Sequence, residues 1–434
     1  MGELSSHNNP LRRLWSTAKG HRLILENFLS LGLINVLNSS FHLIIYPILI
    51  RRVGAETYGT YVYAFSIVNY FTTLVTYGLD MIGTRYLAIY DRDDDLEGKS
   101  RITSLMVSSK FYLALLALLI FSPIALFIES LEPLRPLLWA NFLVVVSYIF
   151  MPGWYYIGIQ NTRPYLNIQV ITKILLVLAI IFLVIDASDV TLYALLVSIN
   201  MIIFSLLSFI YIAKKEKLLI VGYSVSKCLS LLKESTPLFL SNMLFTVKSA
   251  GLNLVIGNLF GMTTLTGYDF SMKIVSNVTF LAKQLNTALF PSISGHYTQT
   301  KIWKLLKIES VLGITITALL ILLAKPIIWI MGNGPIESIV LPLFIVLSTL
   351  VPTWLISGFF IELVLTANGK NREVFYNQLI SLGIISVGVG IAYLSDVSIL
   401  GLSVIVVLAG ILEVSFLYWM ARRLNLLNKN GHTQ

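Results

Sequence analysis

Long apolar stretches, separated by short polar segments that hold charges and prolines, follow one another along most of the 434-residue chain. Each stretch is about twenty residues or longer, the length that a helix needs to cross a hydrocarbon core of about 30 Å. Runs such as 111–126 do not alternate apolar and polar residues, which argues against a membrane barrel. We therefore predict an all-α integral membrane protein with about twelve transmembrane helices, at 23–50, 57–83, 102–128, 134–157, 165–185, 190–213, 235–260, 264–290, 308–331, 336–366, 374–394 and 397–421.

These spans divide into two halves of six that resemble each other weakly. At an offset of 207 residues, the matched pairs are Asn35 with Asn242, Gly54 with Gly261, and Tyr61 with Tyr268. Six spans per half insert both halves the same way round, so we predict two parallel six-helix lobes around a central cavity. Chance similarity between low-complexity membrane sequences is the alternative. The predicted division is an N-terminal segment (1–22), a lobe (23–213), a linker (214–234), a second lobe (235–421) and a tail (422–434).

Composition agrees with a membrane protein. The chain is 56% hydrophobic and 12% charged, with a mean hydropathy of +0.81, whereas soluble chains carry about 25% charged residues. The first twenty residues are polar and lack the apolar core of a signal peptide, so we expect the first span to be retained. The single cysteine, Cys228, cannot form an internal disulfide.

The net charge of +9 lies mainly in the loops beside the predicted spans. With the N-terminus inside, 24 of the 31 basic residues, Lys110 and Lys173 included, fall in cytoplasmic segments. The opposite face holds only Arg51, Arg52, Arg135 and Lys325. This bias predicts that both termini are cytoplasmic, and it indicates an anionic lipid surface rather than nucleic acid as the partner of the basic loops.

Polar side chains form stripes along four of the predicted spans. Lipid-facing polar groups are costly, so such stripes are expected to face the bundle interior or a wet cavity. Hydrogen bonding between helices is the simpler explanation for the hydroxyls and amides taken one at a time. The stripes consist of Asn35, Asn38, Ser39, His42 and Tyr46 in span 1; Asn69, Thr73, Thr76 and Asp80 in span 2; Asn242, Thr246, Ser249 and Asn253 in span 7; and Asp269, Lys273, Ser276, Lys283 and Thr287 in span 8.

Three intramembrane lysines, Lys248, Lys273 and Lys283, stand out in the second half. A lysine at the centre of a membrane helix costs about 3 kcal/mol, so each needs an acidic partner, a hydrated cavity or an anionic substrate. Asp269 precedes Lys273 by one helical turn and could pair with it, but one aspartate cannot also satisfy Lys283. The excess of positive charge favours an anionic cargo.

Acidic residues inside the predicted spans have open roles. Asp80 could simply pair with Arg85 one turn further on, and Glu413 in span 12 could be protonated, paired with a base or part of a cation site. Together with Asp269 they are the candidates for coupling to a proton or a sodium ion. The sequence contains no phosphate-binding loop, no His-Glu-x-x-His, no cysteine pair and no Gly-x-Ser-x-Gly, so we predict no catalytic residues, metal site or cofactor.

Several segments resemble the polysaccharide transporters, the Wzx-type O-antigen flippases. The similar segments are YPILIRRVGAETYGTYVYAFSIVNYFTTLVTYGLD (46–80), PGWYYIGIQNTR (152–163), LKESTPLFLSNMLFTVKSAGLNLVIG (232–257), GYDFSMKI (267–274) and LNTALFPSIS (285–294). That family belongs to the multidrug/oligosaccharidyl-lipid/polysaccharide exporter superfamily. The resemblance implies alternating access by two lobes in the bacterial inner membrane, with cargo turned from the cytoplasmic to the periplasmic leaflet.

The cargo that the resemblance implies is an undecaprenyl-pyrophosphate-linked oligosaccharide. On this hypothesis Lys273, Lys283 and Lys248 bind the diphosphate. The residues expected to bind the sugars are Asn35, Asn38, His42, Asn69, Asn242, Asn253 and Gln284. A polysaccharide polymerase and a chain-length regulator are candidate partners. The alternatives are a membrane-embedded polymerase or acyltransferase, a multidrug efflux antiporter, and a lipid II or teichoic-acid-precursor flippase.

Overall fold

The computed structural model describes residues 32–34, 41, 44–293, 299–331, 337–368, 370–395 and 397–427, and it leaves the side chains of 284–301, 331, 367 and 371 undescribed. All of the regular structure in these ranges is helical. The first half contains α1 (44–52), α2 (Ala55–Thr76), α3 (Leu79–Arg92), α4 (Leu96–Phe127), α5 (Arg135–Phe150), α6 (Gly153–Gly158), α7 (Arg163–Leu183) and α8 (Val190–Lys215). The second half contains α9 (Val225–Phe260), α10 (Met262–Ile293), α11 (Gln299–Leu322), α12 (Ala324–Met331), α13 (Glu337–Ser348), α14 (Leu350–Gly358), a π-helix (Phe359–Leu365), α15 (Asn371–Leu394) and α16 (Ile399–Arg423).

Nine helical stretches in the described ranges are long and apolar enough to cross a membrane. The prediction of a multi-pass all-α protein is therefore confirmed. Three of the twelve predicted spans are not among the nine: most of 23–50 lies outside the described residues, and the spans at 57–83 and 264–290 correspond to α2–α3 and α10. α2 and α10 carry the polar stripes noted above, which lower their hydropathy, and both pack against the other half of the chain.

The helices cross from one side of the bundle to the other in alternation. We call the side that holds the connections 93–95, 159–162 and 216–224 the basic side, because the sequence predicts it to be cytoplasmic, and we call the other the opposite side. Lys110 and Lys173, which the charge pattern assigns to cytoplasmic segments, lie within the helices α4 and α7 rather than in loops. The Nζ of Lys173 is 4.3 Å from the ring centroid of Phe41.

Predicted span 2 is not one continuous helix. The chain turns between α2 and α3 at Tyr77 and Gly78, which have φ angles of 47° and 69°. A β-carbon on Gly78 would lie 2.7 Å from the Cβ of Leu238, so both the backbone conformation and the close packing require glycine here. Because of this break, Asp80 leaves the polar stripe of α2, contrary to the helical-wheel prediction.

The predicted repeat is visible in the backbone. Gly54 precedes α2 with φ 87° and ψ 159°, and Gly261 precedes α10 with φ 85° and ψ 165°. α2 and α10 also meet close to these turns, because a β-carbon on Gly59 would be only 2.0 Å from the carbonyl oxygen of Met262. The equivalent glycines therefore start two equivalent helices that touch at the opposite side.

A line of hydrogen bonds, which we call the seam, joins α2 to α9 from the opposite side to the basic side. Its links are Tyr63 with Asn258 (3.0 Å), Ser66 with Asn253 (3.0 Å), Thr73 with Thr246 (2.8 Å) and Tyr77 with Thr236 (3.4 Å). The rings of Tyr77 and Phe239 stack beside the last link, with 4.2 Å between centroids. The donors and acceptors are neutral, so the seam holds the two halves together without burying charge.

Arginines on the opposite side cap the ends of helices. Arg51 donates to the carbonyl of Ile330 at 3.1 Å, Arg52 to that of Val184 at 2.7 Å, and Arg135 to that of Leu126 at 2.8 Å. Each carbonyl lies at or next to a helix C-terminus, where the helix dipole favours positive charge. These exceptions to the charge bias thus have a structural explanation.

Candidate functional site

A cavity of about 510 Å³ lies within the second half of the chain, between α9, α10, α14, the π-helix, α15 and α16. Its charged lining residues are Lys248, Asp269, Lys273, Lys283 and Glu413. The structure thus brings all three predicted lysines and two of the three predicted acids to one cavity, although they come from three different helices. The sequence alone gave no distance between them.

Lys248 of α9 takes part in a hydrogen-bonded network with α15 and α16. Its Nζ lies 3.1 Å from the Oγ of Ser381, 3.4 Å from the Oε1 of Gln378 and 3.7 Å from the Oε2 of Glu413. Glu413 also accepts hydrogen bonds from Asn377 and Ser381, both at 3.0 Å. The charges of Lys248 and Glu413, each costly to place alone in the membrane, therefore compensate each other.

Asp269 and Lys273 form the ion pair that their spacing predicts. The Nζ of Lys273 is 2.6 Å from the Oδ2 of Asp269 and 2.9 Å from the hydroxyl of Tyr58, which belongs to α2. Tyr46 of α1 packs edge-on against Tyr58 at 5.1 Å between ring centroids, and its hydroxyl donates to the carbonyl of Thr266 at 3.0 Å. The pair therefore sits where the two halves of the chain meet.

Lys283 differs from the other two lysines. Among the described residues, no carboxylate oxygen lies within 4.0 Å of its Nζ, and it is attracted only at longer range by Glu362, Glu413 and Glu309. Its stem packs on Gly358, where a β-carbon would be 2.7 Å from its Cε. Within the described part of the cavity, Lys283 is the cation left available for an anionic group.

The π-helix that follows Gly358 places Glu362 near Lys283 and contributes Ile361 to the cavity wall. Short π-helical segments frequently mark functional sites, because the wider turn re-aims side chains. Sequence reasoning missed Glu362, although an ionisable residue inside predicted span 10 was a visible signal. It also missed Gln378 and Ser381, whose polar side chains gave no sign of facing Lys248.

The predicted sugar-binding residues are not gathered in one place. Asn253 lines the cavity and donates to Ser66 across the seam. Asn69 accepts a hydrogen bond from Thr72 within α2 at 2.9 Å, and Asn242 lies exposed on α9, so neither borders the cavity. Asn35, Asn38, His42 and the side chain of Gln284 lie outside the described residues.

Asp80 lies away from the cavity, in the first half. Its Oδ1 is 2.6 Å from the Nζ of Lys110, a side chain that is only 1% exposed. The expected pairing of Asp80 with Arg85 is wrong, because the turn at Gly78 directs Asp80 towards α4. Arg85 instead pairs with Glu234 of α9, which raises the pKa of the Arg85 guanidinium.

Comparison with known proteins places these features in a family. The family model described as "Polysaccharide biosynthesis protein" matches residues 24–297, well over half of the chain. A curated protein of Escherichia coli (strain K12), named "Putative O-antigen transporter", is 20% identical over 371 residues, which cover 83% of this chain and 88% of that protein.

Solved structures share the fold at low sequence identity. The inward-facing structure of a multidrug resistance MATE family transporter of the MOP superfamily has a TM-score of 0.67 at 14% identity, covering 91% of this chain and 96% of that one. The lipid II flippase MurJ, in an inward closed conformation, has a TM-score of 0.66 at 17% identity, covering 90% and 87%. The predicted two-lobe membrane fold is therefore confirmed.

Proposed function

The chain belongs to the polysaccharide biosynthesis protein family, and from this premise we propose that it is a flippase for undecaprenyl-pyrophosphate-linked oligosaccharide repeat units. It is a transporter of the MOP superfamily type rather than an enzyme, in line with its relatives. The proposed cargo moves from the cytoplasmic to the periplasmic leaflet of the bacterial inner membrane, by alternating access of the two halves.

The observation that carries this proposal is the position of Lys283 in a membrane-embedded cavity without a close acidic partner among the described residues. A diphosphate supplies the charge that this lysine lacks, and lysine binds phosphate oxygens as a compact point charge. Lys273 and Lys248 already have partners, so they bind the diphosphate only by exchanging Asp269 or Glu413 for it. The diphosphate head thus enters the cavity while the polyprenyl tail stays in the lipid.

The depth of the charges supports a stepwise path. Lys273 and Lys283 are ten residues apart on α10, which corresponds to about 15 Å along the helix. Lys283 is nearer the basic side, where the cargo enters, and Lys273 is nearer the opposite side, where it leaves. Asp269 and Glu413 are released as their partners, Lys273 and Lys248, engage the diphosphate, and they are then free to take up a proton or a sodium ion.

The proposal is tested by complementation of a strain that lacks the gene, with surface polysaccharide as the readout. We expect Lys283→Ala to reduce the polysaccharide at least about tenfold and Lys283→Arg to retain most of it, because charge is the requirement. Lys304→Ala, which changes an exposed lysine of α11 outside the cavity, is the matched control. Full polysaccharide from Lys283→Ala at normal expression would rule out the diphosphate role.

The same strains separate the proposal from its rivals. A multidrug antiporter would confer drug or dye efflux that is independent of the glycan genes, and a lipid II flippase would restore growth to cells that lack their own. A proposed polysaccharide flippase does neither, and its loss leads to accumulation of lipid-linked oligosaccharide in the membrane. A polymerase and a chain-length regulator are its proposed partners, since they consume the translocated repeat unit.

A further inference from the structure

The two halves of the chain are joined by an extended segment, residues 218–224, which we call the strap. α8 ends at Lys215, a turn follows in which Lys217 has a φ of 53°, and the strap runs to Ser224, the residue before α9. The sequence predicts a longer cytoplasmic linker, at 214–234, but α8 and α9 extend into both ends of that range. The strap lies along the basic-side part of α4 rather than free in solvent.

Three serines on one face of α4 hydrogen-bond the backbone of the strap in register. The amides of Leu219, Val221 and Tyr223 donate to the Oγ atoms of Ser100, Ser104 and Ser108 at 3.2, 3.1 and 3.0 Å. Two residues of extended chain advance about 6.6 Å and four residues of helix advance about 6.0 Å. Every second residue of the strap therefore lies opposite every fourth residue of α4 over this distance. Alternate donors of the strap are thereby satisfied inside the protein.

The side chains of the strap are mostly apolar. Its sequence is Leu-Leu-Ile-Val-Gly-Tyr-Ser, and Leu219 and Val221 are 75% and 53% exposed. Ser104 and Ser108 lie inside the predicted span at 102–128, and Ser100 lies just before it. Non-helical backbone can lie at membrane depth only if its polar groups are bonded within the protein, and the serines provide this.

Beside the strap is a groove of about 480 Å³, bounded by α4 and α5. Val107, Phe111, Ile149 and Phe150 supply its apolar walls, and Gly222 lies on its strap side. The hydroxyl of Tyr112 also borders the groove but is engaged by the carbonyl of Tyr223 at 3.0 Å. Phe111 is 47% exposed, so the groove opens onto the outer, lipid-facing surface of α4.

Positive charges accompany aromatic rings around the strap. The Nζ of Lys227 is 5.2 Å from the ring centroid of Tyr223, and the Nζ of Lys215 is 5.9 Å from that of Tyr211. Basic and aromatic residues together are typical of the boundary between membrane and water, and basic residues there attract anionic headgroups. The groove therefore combines an apolar body with a lysine, Lys227, that lies beside its lining residue Tyr223.

We propose that the strap is embedded in the leaflet on the basic side and that its groove binds one acyl chain of an anionic phospholipid, whose phosphate pairs with Lys227. The lysines that we assign to the cargo diphosphate lie in the cavity of the other half, so the cargo is not the occupant. This lipid site is independent of the cargo site and of the proposed function.

The lipid site is tested with the full-length protein, delipidated in detergent and titrated with phosphatidylglycerol while native mass spectrometry counts the bound lipids. Gly222→Phe is designed to fill the groove, and the backbone tolerates a side chain here because a β-carbon at Gly222 meets no atom within 4 Å. We expect this variant to bind the lipid at least about tenfold more weakly. Leu119→Phe is the matched control. It changes a 72% exposed position of α4 and is expected to keep wild-type binding.

Four results would overturn the assignment. Equal retention of lipid by Gly222→Phe and the control removes the groove as the site. If the wild type binds phosphatidylcholine and phosphatidylglycerol with equal affinity, the site does not select an anionic headgroup. If Lys227→Gln still prefers phosphatidylglycerol as strongly as the wild type does, Lys227 does not bind the headgroup. Displacement of the bound lipid by an equimolar amount of polyprenyl phosphate assigns the groove to the cargo tail instead.

The position of the strap in the membrane has its own test. In a Cys228→Ser background, Val221→Cys and Lys217→Cys are exposed to a charged maleimide in open membrane fragments. We expect the cysteine at 221 to react at least about tenfold more slowly than the one at 217, because the charged reagent does not enter lipid. A lipid-soluble maleimide labels both, which shows that the thiol at 221 is accessible. Equal rates with the charged reagent would place the strap in water.

Discussion

Lys273 of α10 donates a hydrogen bond of 2.9 Å to the hydroxyl of Tyr58 of α2, so a lysine that lines the cavity of one half is held by a side chain of the other. Lys273 also keeps Asp269 at 2.6 Å. Movement of one half relative to the other therefore changes the surroundings of this lysine directly. A phosphate that draws Lys273 away from Tyr58 weakens the contact between the halves.

Tyr58→Phe removes that link, together with the 3.5 Å hydrogen bond that the Tyr58 hydroxyl donates to Asp269, and leaves the ion pair of Lys273 with Asp269. A hydrogen bond to a charged group contributes about 2 kcal/mol to the free energy of unfolding. We expect a loss of about this size in a thermal unfolding assay of the purified protein, together with reduced complementation. Tyr63→Phe serves as the control, since Tyr63 lies on the same helix, α2, but bonds the neutral Asn258 of α9. If both variants behave alike, the contact of Lys273 with Tyr58 has no special role.

Lys248→Met leaves Glu413 without its basic partner. Removing one member of a buried ion pair costs about 3 kcal/mol, so we expect a large loss of stability in a denaturant or thermal unfolding assay. The double variant Lys248→Met/Glu413→Gln removes both charges and recovers most of that loss. A double variant no more stable than the single one would show that the pair is not energetically coupled.

Lys110→Met distinguishes a structural lysine from a cavity lysine. Lys110 is buried against Asp80, whose side chain is 44% exposed, and losing this charge-assisted hydrogen bond costs about 2 kcal/mol, with recovery in Lys110→Met/Asp80→Asn. Lys283→Met, without a carboxylate partner within 4.0 Å among the described residues, changes stability by less than about 1 kcal/mol. Unfolding curves of the two variants, compared at equal ionic strength, check the contrast.

Arg85 and Glu234 join α3 to α9 on the basic side with largely exposed side chains, 60% and 36% respectively. An exposed pair contributes about 0.5 kcal/mol, so Arg85→Ala leaves the unfolding midpoint almost unchanged. We expect it instead to increase labelling of a cysteine introduced at Ser249 in the cavity, in a Cys228→Ser background. The charge-reversed double variant Arg85→Glu/Glu234→Arg returns labelling to the original rate, and failure to do so would argue against the pair.

Gly54→Ala and Gly261→Ala should destabilise the protein by similar amounts. Gly54 has φ 87° and ψ 159° and Gly261 has φ 85° and ψ 165°, a region essentially confined to glycine that costs an L-residue about 1–3 kcal/mol. Neither has an atom within 4 Å of an added β-carbon, so strain alone is measured. Gly390→Ala, at an equally open position inside α15, is expected to be neutral or stabilising. Thermal unfolding of the three variants decides whether the repeated turns are equivalent.

The sequence predicted local features of the site well. The order Asp269 before Lys273 gave the ion pair, because residues four apart on a helix are neighbours. The paired glycines at 54 and 261 lie at equivalent turns, because both turns have a positive φ that favours glycine. Both features depend only on residues close together along the chain.

Features that depend on packing could not be predicted. The partner of Lys248 is Glu413, on another helix and 165 positions further on, and no local pattern connects them. The pairing of Asp80 with Lys110 was missed because a helical wheel assumes an unbroken helix, whereas α2 ends at Thr76. The strap was missed because its serines lie on α4, more than a hundred residues before the segment they bind.

The seam between α2 and α9 also determines how much work a change of shape requires. Its links are hydroxyls and amides, each contributing about 1 kcal/mol, and they are spread along both helices. Pulling the halves apart would break all of these bonds together, whereas a local movement at one end of the seam breaks only the bond at that end. We therefore expect the seam to open from an end rather than along its whole length at once.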